Sequence, residues 1–166
     1  GVAIHRMLEN WRLDEEPGAE LERGRARVDA DLAASLSAGR LPAARRRAEE
    51  LIERLARGTL LQRLAEIGPT VVGREVPVLL PPDAGAAGFV SGALDLIYTD
   101  PESGRLTIVD FKTDRVEEEQ AIAERAAAYR AQEELYARAI HLAFGLGQEP
   151  ATELWFLWPD RLWTSS

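Results

Sequence analysis

The chain has 166 residues, of which 46% are hydrophobic and 29% are charged, and this suits one globular domain with a hydrophobic core. It contains no cysteine, which excludes disulfides, thiolate nucleophiles, cysteine-based zinc sites and iron–sulfur clusters. The formal net charge of −8 argues against a domain that binds nucleic acid through its own basic surface, and no apolar run approaches the roughly 20 residues that span a bilayer.

The first part of the chain is predicted to be helical. Helices are expected over residues 1–13, near 26–37, from 42 to about 57 and near 59–66. Between the first two of these, residues 14–24 are polar and contain Pro17, Gly18 and Gly24, which indicates a loop. The segment 14–70 contains no motif that assigns it a role.

Near residue 70 the pattern changes to one that is typical of strands. Strands are predicted over 71–80, 89–98, 105–112, 153–158 and 162–164, with a long alanine-rich helix from about 117 to 145. Pro81 and Gly85 mark a turn, and residues 100–104 form a hairpin loop. This order predicts a single α+β domain with a helical part over 1–68 and a sheet part over 69–166.

Lys112 is the only lysine among the 20 basic residues, and it lies two residues after Asp110 in a predicted strand. Because side chains alternate along a strand, Asp110 and Lys112 share a face with Leu106 and Ile108. Asp95 ends an apolar stretch of the preceding strand, and the intervening hairpin can place it beside Asp110. The sequence therefore predicts two carboxylates and one ammonium in one pocket.

This group of side chains suits metal-assisted chemistry. Adjacent carboxylates repel each other unless a cation or a proton lies between them, and hard oxygen ligands suit Mg²⁺ or Mn²⁺. A metal held in this way can polarise a phosphoryl oxygen and acidify a bound water, while Lys112 can orient that water or stabilise developing negative charge. Phosphodiester hydrolysis requires this combination, because its uncatalysed barrier is very high. The alternative is a structural ion pair between Asp110 and Lys112.

Further polar positions could belong to the same site. His5 and Glu9 lie four residues apart on the first helix and can face one site, where the imidazole could ligate a metal; otherwise His5 is a core or surface residue. Gln132 lies with Tyr136 on an otherwise apolar face of the long helix, so its amide serves the site or caps a buried polar group. Glu75 either supports the metal-binding residues without binding the metal itself, or it is an exposed strand residue.

Four short segments follow one another in an informative order along the chain. They are Gly1-Val2-Ala3-Ile4-His5 with Leu8-Glu9, Gly92-Ala93-Leu94-Asp95, Asp110-Phe111-Lys112-Thr113, and Gln132 to Tyr136. Together they resemble the motifs of the PD-(D/E)XK nuclease superfamily, specifically its RecB/AddA-type branch. The resemblance runs from residue 1 to about 158, and each motif is loose by itself, but four in this order form a strong signal.

The resemblance implies an α/β (α+β) restriction-endonuclease-like fold, with a central mixed sheet of about four to five strands flanked by helices. It also implies Mg²⁺-dependent cleavage of DNA, in which Mn²⁺ is expected to substitute. In this family-based interpretation, the metal is held by the side chains of His5, Asp95 and Asp110 and by the main-chain carbonyl of Phe111. Lys112 acts as the catalytic lysine, together with the two aspartates. Supporting or DNA-contacting roles are then expected for Gln132, Tyr136, Thr113, Glu9 and Glu75.

In this branch the nuclease is usually the C-terminal domain of a helicase–nuclease that processes double-strand breaks. The expected partners are therefore DNA, a helicase motor in the same polypeptide and further subunits, in the bacterial cytoplasm and away from membranes. The chain lacks an initiator methionine, which agrees with an origin at the C-terminal end of a longer protein, and the motor would supply a basic DNA channel. Two alternatives remain: a stand-alone phage-type exonuclease of the same superfamily, and a non-catalytic DNA-binding or docking domain.

Overall fold

A computed structural model describes the chain over residues 1–80 and 90–164. Within those ranges the protein contains five α-helices and one five-stranded mixed sheet. This α+β architecture is consistent with a restriction-endonuclease-like fold and confirms the predicted fold class. The turn predicted at Pro81 and Gly85 lies outside the described residues. No helix in the described ranges is both long and apolar enough to cross a membrane.

In the described residues, four α-helices are followed by three strands, a fifth α-helix and two further strands. The helices are α1 (Val2–Glu9), α2 (Pro17–Ser35), α3 (Leu41–Arg57), α4 (Leu60–Ile67) and α5 (Glu119–Phe144). A 3₁₀ turn at Gly68–Thr70 follows α4. The strands are β1 (Val71–Leu80), β2 (Val90–Thr99), β3 (Leu106–Lys112), β4 (Ala151–Phe156) and β5 (Arg161–Thr164). They are ordered β1-β2-β3-β4-β5 in the sheet, and β2 pairs antiparallel with both β1 and β3.

The loop predicted over residues 14–24 was wrong, because α2 already begins at Pro17. Proline is well tolerated in the first turn of a helix, where its missing N–H has no partner in any case. The Glu16 carboxylate caps this end by accepting a hydrogen bond from the Ala19 N–H at 2.9 Å. Gly24 lies buried inside the helix, and a Cβ there would lie 2.7 Å from Cγ of Met7, so this glycine allows α1 to approach closely.

The segment after β3 is longer than predicted. The helix expected from about 117 begins at Glu119, so residues 113–118 have neither helical nor strand structure. Gly145 ends α5 with a left-handed φ of 60°, which glycine adopts without the steric cost of a Cβ. β4 ends at Phe156, which leaves Leu157 and Trp158 in the following turn rather than in the predicted strand.

Helix α4 is capped by a residue that is distant in sequence. Asp160 accepts hydrogen bonds from the Thr59 and Leu60 N–H groups at 2.6 and 3.1 Å, and from the Thr59 hydroxyl at 3.0 Å. Thr59 itself makes no side-chain cap. Asp160 has a φ of 54°, a region that costs energy for residues other than glycine but that Asp tolerates better than most. The carboxylate therefore satisfies backbone donors that would otherwise have no partner within the helix.

The contacts divide the chain into two compact units. Unit 1 comprises Gly1–Pro69, Phe111–Glu117 and Trp155–Arg161, and unit 2 comprises the described parts of Thr70–Asp110, Glu118–Leu154 and Leu162–Ser166. Fully buried side chains of unit 1 include Met7, Trp11, Ile52, Leu55, Leu64 and Ile67. The core of unit 2 joins α5 to the sheet through Val78, Leu94, Ile97, Ile108, Tyr136, Ala139 and Ile140.

Candidate functional site

The antiparallel pairing of β2 with β3 brings Asp95 and Asp110 together. Leu96 pairs with Val109, and continuing this register by one residue sets Asp95 opposite Asp110. Opposed residues on neighbouring antiparallel strands have Cβ atoms roughly 4.5–5.5 Å apart. The register therefore favours neighbouring positions for the two aspartates in unit 2.

The two aspartates lie next to strand residues that belong to the core of unit 2. Ile97 and Ile108 lie two residues away from them along the same strands, and both belong to the buried cluster that contains Tyr136. Both aspartates are half-buried, and the Oδ2 atom of Asp110 is shielded from solvent. Two half-buried carboxylates on neighbouring strands supply the hard oxygen ligands that suit a divalent metal.

Glu75 lies on β1, at the level of Asp95 on the neighbouring strand β2. Arg74 pairs with Leu96 and Val76 with Leu94, so the register sets Glu75 opposite Asp95. Glu75 is half-buried rather than fully exposed, and its φ of 45° departs from extended geometry. A left-handed non-glycine residue inside a strand costs of order 1–3 kcal/mol, and such residues concentrate at functional sites. Position and strain together make Glu75 a candidate support for the aspartate pair.

Helix α5 contributes an amide and a phenol to unit 2. The Gln132 Nε2 group donates a hydrogen bond to the Tyr136 hydroxyl at 3.0 Å, and the Tyr136 side chain is buried. The hydroxyl occupies the space beside Gly92, where a Cβ would lie only 2.6 Å from it. Gly92 precedes Asp95 by three residues on β2, so the absence of a side chain at 92 allows α5 to pack close to the strand that carries this aspartate.

In unit 1, His5 faces the main chain of Phe111. The imidazole Nε2 lies 2.8 Å from the Phe111 carbonyl oxygen, and Nδ1 lies 3.2 Å from the carbonyl oxygen of Gly1. A neutral imidazole has one N–H, so it can donate to only one of these two oxygens. With Nδ1 protonated, the Nε2 lone pair would point at the Phe111 oxygen, and a cation there would bind both atoms. This pair of donors also fits a metal.

Lys112 ends β3 and is only 8% exposed, so burial limits the ways in which its ammonium group can move. Its carbonyl oxygen accepts a hydrogen bond from the Leu157 N–H at 2.8 Å. The Thr113 hydroxyl lies close to Gly1, 3.3 Å from the point where a Cβ on that glycine would be. Glu9 is exposed at the last residue of α1.

The donors assemble as pairs rather than as a complete cage. Within residues 1–80 and 90–164, no three His, Cys, Asp or Glu side chains converge in a metal-binding group. The pairs are Asp95 with Asp110 in unit 2, and the His5 imidazole with the Phe111 carbonyl in unit 1. The second pair combines a side-chain nitrogen with a main-chain oxygen.

Several contacts around these residues were not anticipated from the sequence. Gly92 was recognised as part of a motif, but its fit to Tyr136, 44 positions further along, requires the packing of α5 on the sheet. The buried Glu153 carboxylate accepts a hydrogen bond from the Tyr98 hydroxyl at 2.9 Å. The only sequence signal for this contact is an acidic residue in an otherwise apolar strand, which predicts that it has a partner but does not identify it.

The fold, with aspartates on adjacent strands and a lysine two residues beyond one of them, is consistent with a nuclease domain. A family model of the PD-(D/E)XK nuclease superfamily matches residues 1–161, so the chain belongs to this superfamily. Membership implies nuclease activity with DNA as the substrate, and proteins of the superfamily generally use divalent metals. A search of curated proteins gave no match.

Proposed function

We propose that the chain is the nuclease domain of a RecB/AddA-like helicase–nuclease and hydrolyses DNA phosphodiester bonds with Mg²⁺. The observation that supports this proposal is the register of β2 and β3, which favours Asp95 opposite Asp110, with Lys112 two residues further along the strand. Exonuclease V-like processing of double-strand breaks in the bacterial cytoplasm is the corresponding biological role, supported by the motif resemblance.

Each residue of the site has a chemical role in this proposal. Asp95 and Asp110 hold the cation, and the His5 imidazole with the Phe111 carbonyl supplies further donors, since Phe111 directly follows Asp110 in the chain. When bound, the metal supplies Lewis acidity toward a phosphate oxygen and a more acidic water. The Lys112 ammonium stabilises the negative charge that develops on the phosphate during hydrolysis.

The supporting residues act through position. Gln132 and Tyr136 hold the helix face above the aspartates or contact the DNA strand, and the hydrogen bond between their side chains supports a shared role. Thr113, Glu9 and Glu75 are proposed to support the metal donors or the DNA. Because the chain carries a net charge of −8, we propose that a helicase motor and further subunits supply most of the affinity for the DNA backbone.

Neutralising one carboxylate tests the metal site without depending on catalysis. We expect Asp110→Asn to raise the melting temperature of the metal-free protein, because like charges directly opposite on paired strands cost roughly 0.2–1 kcal/mol. The same variant should lose the further rise that Mg²⁺ or Mn²⁺ produces in the wild type, since a bound ligand stabilises only the folded state. Differential scanning calorimetry with and without metal measures both effects.

Cleavage of linear and supercoiled DNA completes the test. Asp110→Asn and Lys112→Ala should each lower the rate of cleavage by at least about 100-fold, within the range seen when a group that stabilises the transition state is removed. Glu102→Gln is the matched control, because it neutralises an exposed carboxylate in the turn between β2 and β3. Cleavage that survives both site substitutions would exclude this mechanism. A wild type without metal binding and cleavage would favour a non-catalytic docking domain.

The attachment to a helicase has its own test. Isolation of the native protein followed by peptide mass spectrometry should detect an ATPase motor in the same polypeptide. A native polypeptide without a motor would instead favour the stand-alone phage-type exonuclease.

A further inference from the structure

Residues 113–118 directly follow the candidate catalytic lysine and form neither helix nor strand. Regular elements fix their backbone through repeated hydrogen bonds, and an irregular segment lacks that restraint. A lysine at the last position of a strand, followed by such a segment, is positioned well only if other contacts hold the chain in place. The position of Lys112 therefore depends on the contacts between this segment and the rest of unit 1.

Trp158 lies at the centre of those contacts. Its side chain is buried, and the guanidinium groups of Arg54 and Arg115 lie 4.2 and 4.1 Å from its ring centroid. Arg54 belongs to α3, whereas Arg115 belongs to the irregular segment. The indole Nε1–H donates a hydrogen bond to the Glu117 carboxylate at 3.0 Å. One buried ring thus contacts the segment at two positions.

The charges around the ring are paired with one another. Arg54 donates to the Glu117 carboxylate at 2.7 Å and to the Trp158 carbonyl at 3.4 Å. Arg115 donates to the Glu50 carboxylate at 2.6 Å. Since Glu50 and Arg54 are one turn apart on α3, a single helix face holds both residues of the segment. We call these five residues the Trp158 clasp.

The clasp is connected to Lys112 through one residue. Leu157, the neighbour of Trp158, donates its N–H to the Lys112 carbonyl oxygen at 2.8 Å. The segment is consequently held at its start through the main chain of Lys112, and further along through Arg115 and Glu117. A displacement of Trp158 would therefore be transmitted to the main chain of Lys112 through the hydrogen bond from Leu157.

The ion pairs of Arg54 and Arg115 differ from isolated surface ion pairs, and the two arginines do not form a phosphate-binding patch. Isolated surface ion pairs contribute little to stability, but here both guanidinium groups stack on one buried ring, which makes the group a connected network. A phosphate-binding patch needs cations that can turn toward the phosphate. Both arginines already pair with a carboxylate, so a phosphate would have to displace Glu50 or Glu117.

We propose that the Trp158 clasp positions Lys112 for catalysis, and that this is a function of helix α3 (Leu41–Arg57), a part of the chain outside the motifs. The proposal rests on the nuclease function proposed above. Trp158, Arg54 and Arg115 are positioning residues in this mechanism. They fix the backbone on the C-terminal side of the lysine and make no contact with DNA or metal.

The test compares Trp158→Leu, which removes the ring, with Trp158→Phe, which retains an aromatic face but loses the N–H. Trp158→Leu should lower kcat for DNA cleavage by about 10- to 100-fold with KM within about twofold, since small displacements of a catalytic group have effects of this size. Trp158→Phe should recover much of this loss. Arg115→Ala provides a milder variant if Trp158→Leu does not fold. Arg46→Ala, an exposed arginine on α3, is the matched control and should behave as the wild type.

Hydrogen exchange provides a readout that does not depend on activity. Amides of residues 113–118 should exchange at least about tenfold faster in Trp158→Leu and Arg115→Ala, while those of α2 remain unchanged. Unchanged exchange in this segment would refute the clasp, and faster exchange with wild-type kcat would refute its catalytic role. A wild type that neither binds metal nor cleaves DNA would overturn the proposed nuclease function, and with it the catalytic role of the clasp.

Discussion

The fit between Gly92 and Tyr136 leads to a quantitative prediction for Gly92→Ala. A Cβ at position 92 would lie 2.6 Å from the Tyr136 hydroxyl oxygen, and 3.0 and 3.2 Å from two ring carbons. Ordinary contact begins near 3.4 Å, so the hydroxyl would have to retreat by about 0.8 Å. The ring is buried in the cluster that contains Ile97 and Ile108, so it cannot move without disturbing the core of unit 2.

The expected loss of stability follows from two terms. Overpacking a core costs typically about 1–3 kcal/mol, and disturbing the hydrogen bond between Gln132 and Tyr136 costs about 0.5–1.5 kcal/mol. We therefore expect Gly92→Ala to lower the free energy of unfolding by about 2–3 kcal/mol. For a chain of this length that corresponds to a fall of roughly 5–10 °C in melting temperature, measured by circular dichroism.

A second substitution separates this mechanism from a general intolerance of position 92. Tyr136→Phe removes the atom at 2.6 Å, so Gly92→Ala/Tyr136→Phe should recover part of the lost melting temperature. Gly147→Ala is the matched control, since a Cβ there meets no atom within 4 Å, and it should be neutral or stabilising by up to about 1 kcal/mol. A Gly92→Ala protein that melts with the wild type, or a double variant without recovery, would refute the reasoning.

Two further predictions concern the helix ends. Asp160→Ala removes the cap of α4 and should lower the free energy of unfolding in urea by about 1–2 kcal/mol. Asp160→Asn retains an oxygen acceptor and should lose less stability. Equal losses in the two variants would argue against a role for the amide oxygen. Hydrogen bonds from the backbone N–H groups of Gly18 and Ala19 lower the pKa of Glu16. The ionised carboxylate therefore stabilises the folded protein above the ordinary carboxylate pKa of about 4.3, and this stabilisation is lost as the pH falls through the lowered pKa. Glu16→Gln should accordingly melt below the wild type at pH 7 but not in strong acid, and a difference that persists in acid would contradict this assignment.

The fold could be predicted largely from local patterns, because most elements carry their own signals. β-rich segments bounded by turn residues predicted β1 to β3, and Gly145, which is left-handed in the structure, marked the end of α5. The ends of elements were predicted less well: the first helix was expected over 1–13 but α1 spans Val2–Glu9, and α2 begins earlier than expected. There, Pro17 and Gly24 were interpreted as loop residues, although one suits a first helical turn and the other provides the room that Met7 requires. A glycine that permits close packing and a glycine that breaks a helix look the same in sequence.

For the candidate site, the sequence indicated residue types and strand positions but not contacts between distant elements. The placement of Asp95 and Asp110 on neighbouring antiparallel strands could be anticipated, because a short hairpin joins β2 to β3. The roles of Gly92 and Trp158 could not, since they depend on how α5 packs on the sheet and on contacts of Trp158 within unit 1. Tryptophan and arginine occur at many surface positions, and composition does not distinguish those that stack on each other.

Unit 1 is discontinuous in sequence, since it combines Gly1–Pro69 with two short stretches that are synthesised much later. During translation the N-terminal helices would leave the ribosome before Asp160 exists to cap α4 and before Trp158 exists to bury against α3. Contacts between residues so far apart slow folding, because a long loop must close before they form. Fragments that contain only the first helices should consequently be poorly structured, and protein engineering should retain the segments around Phe111–Glu117 and Trp155–Arg161 as part of any N-terminal piece.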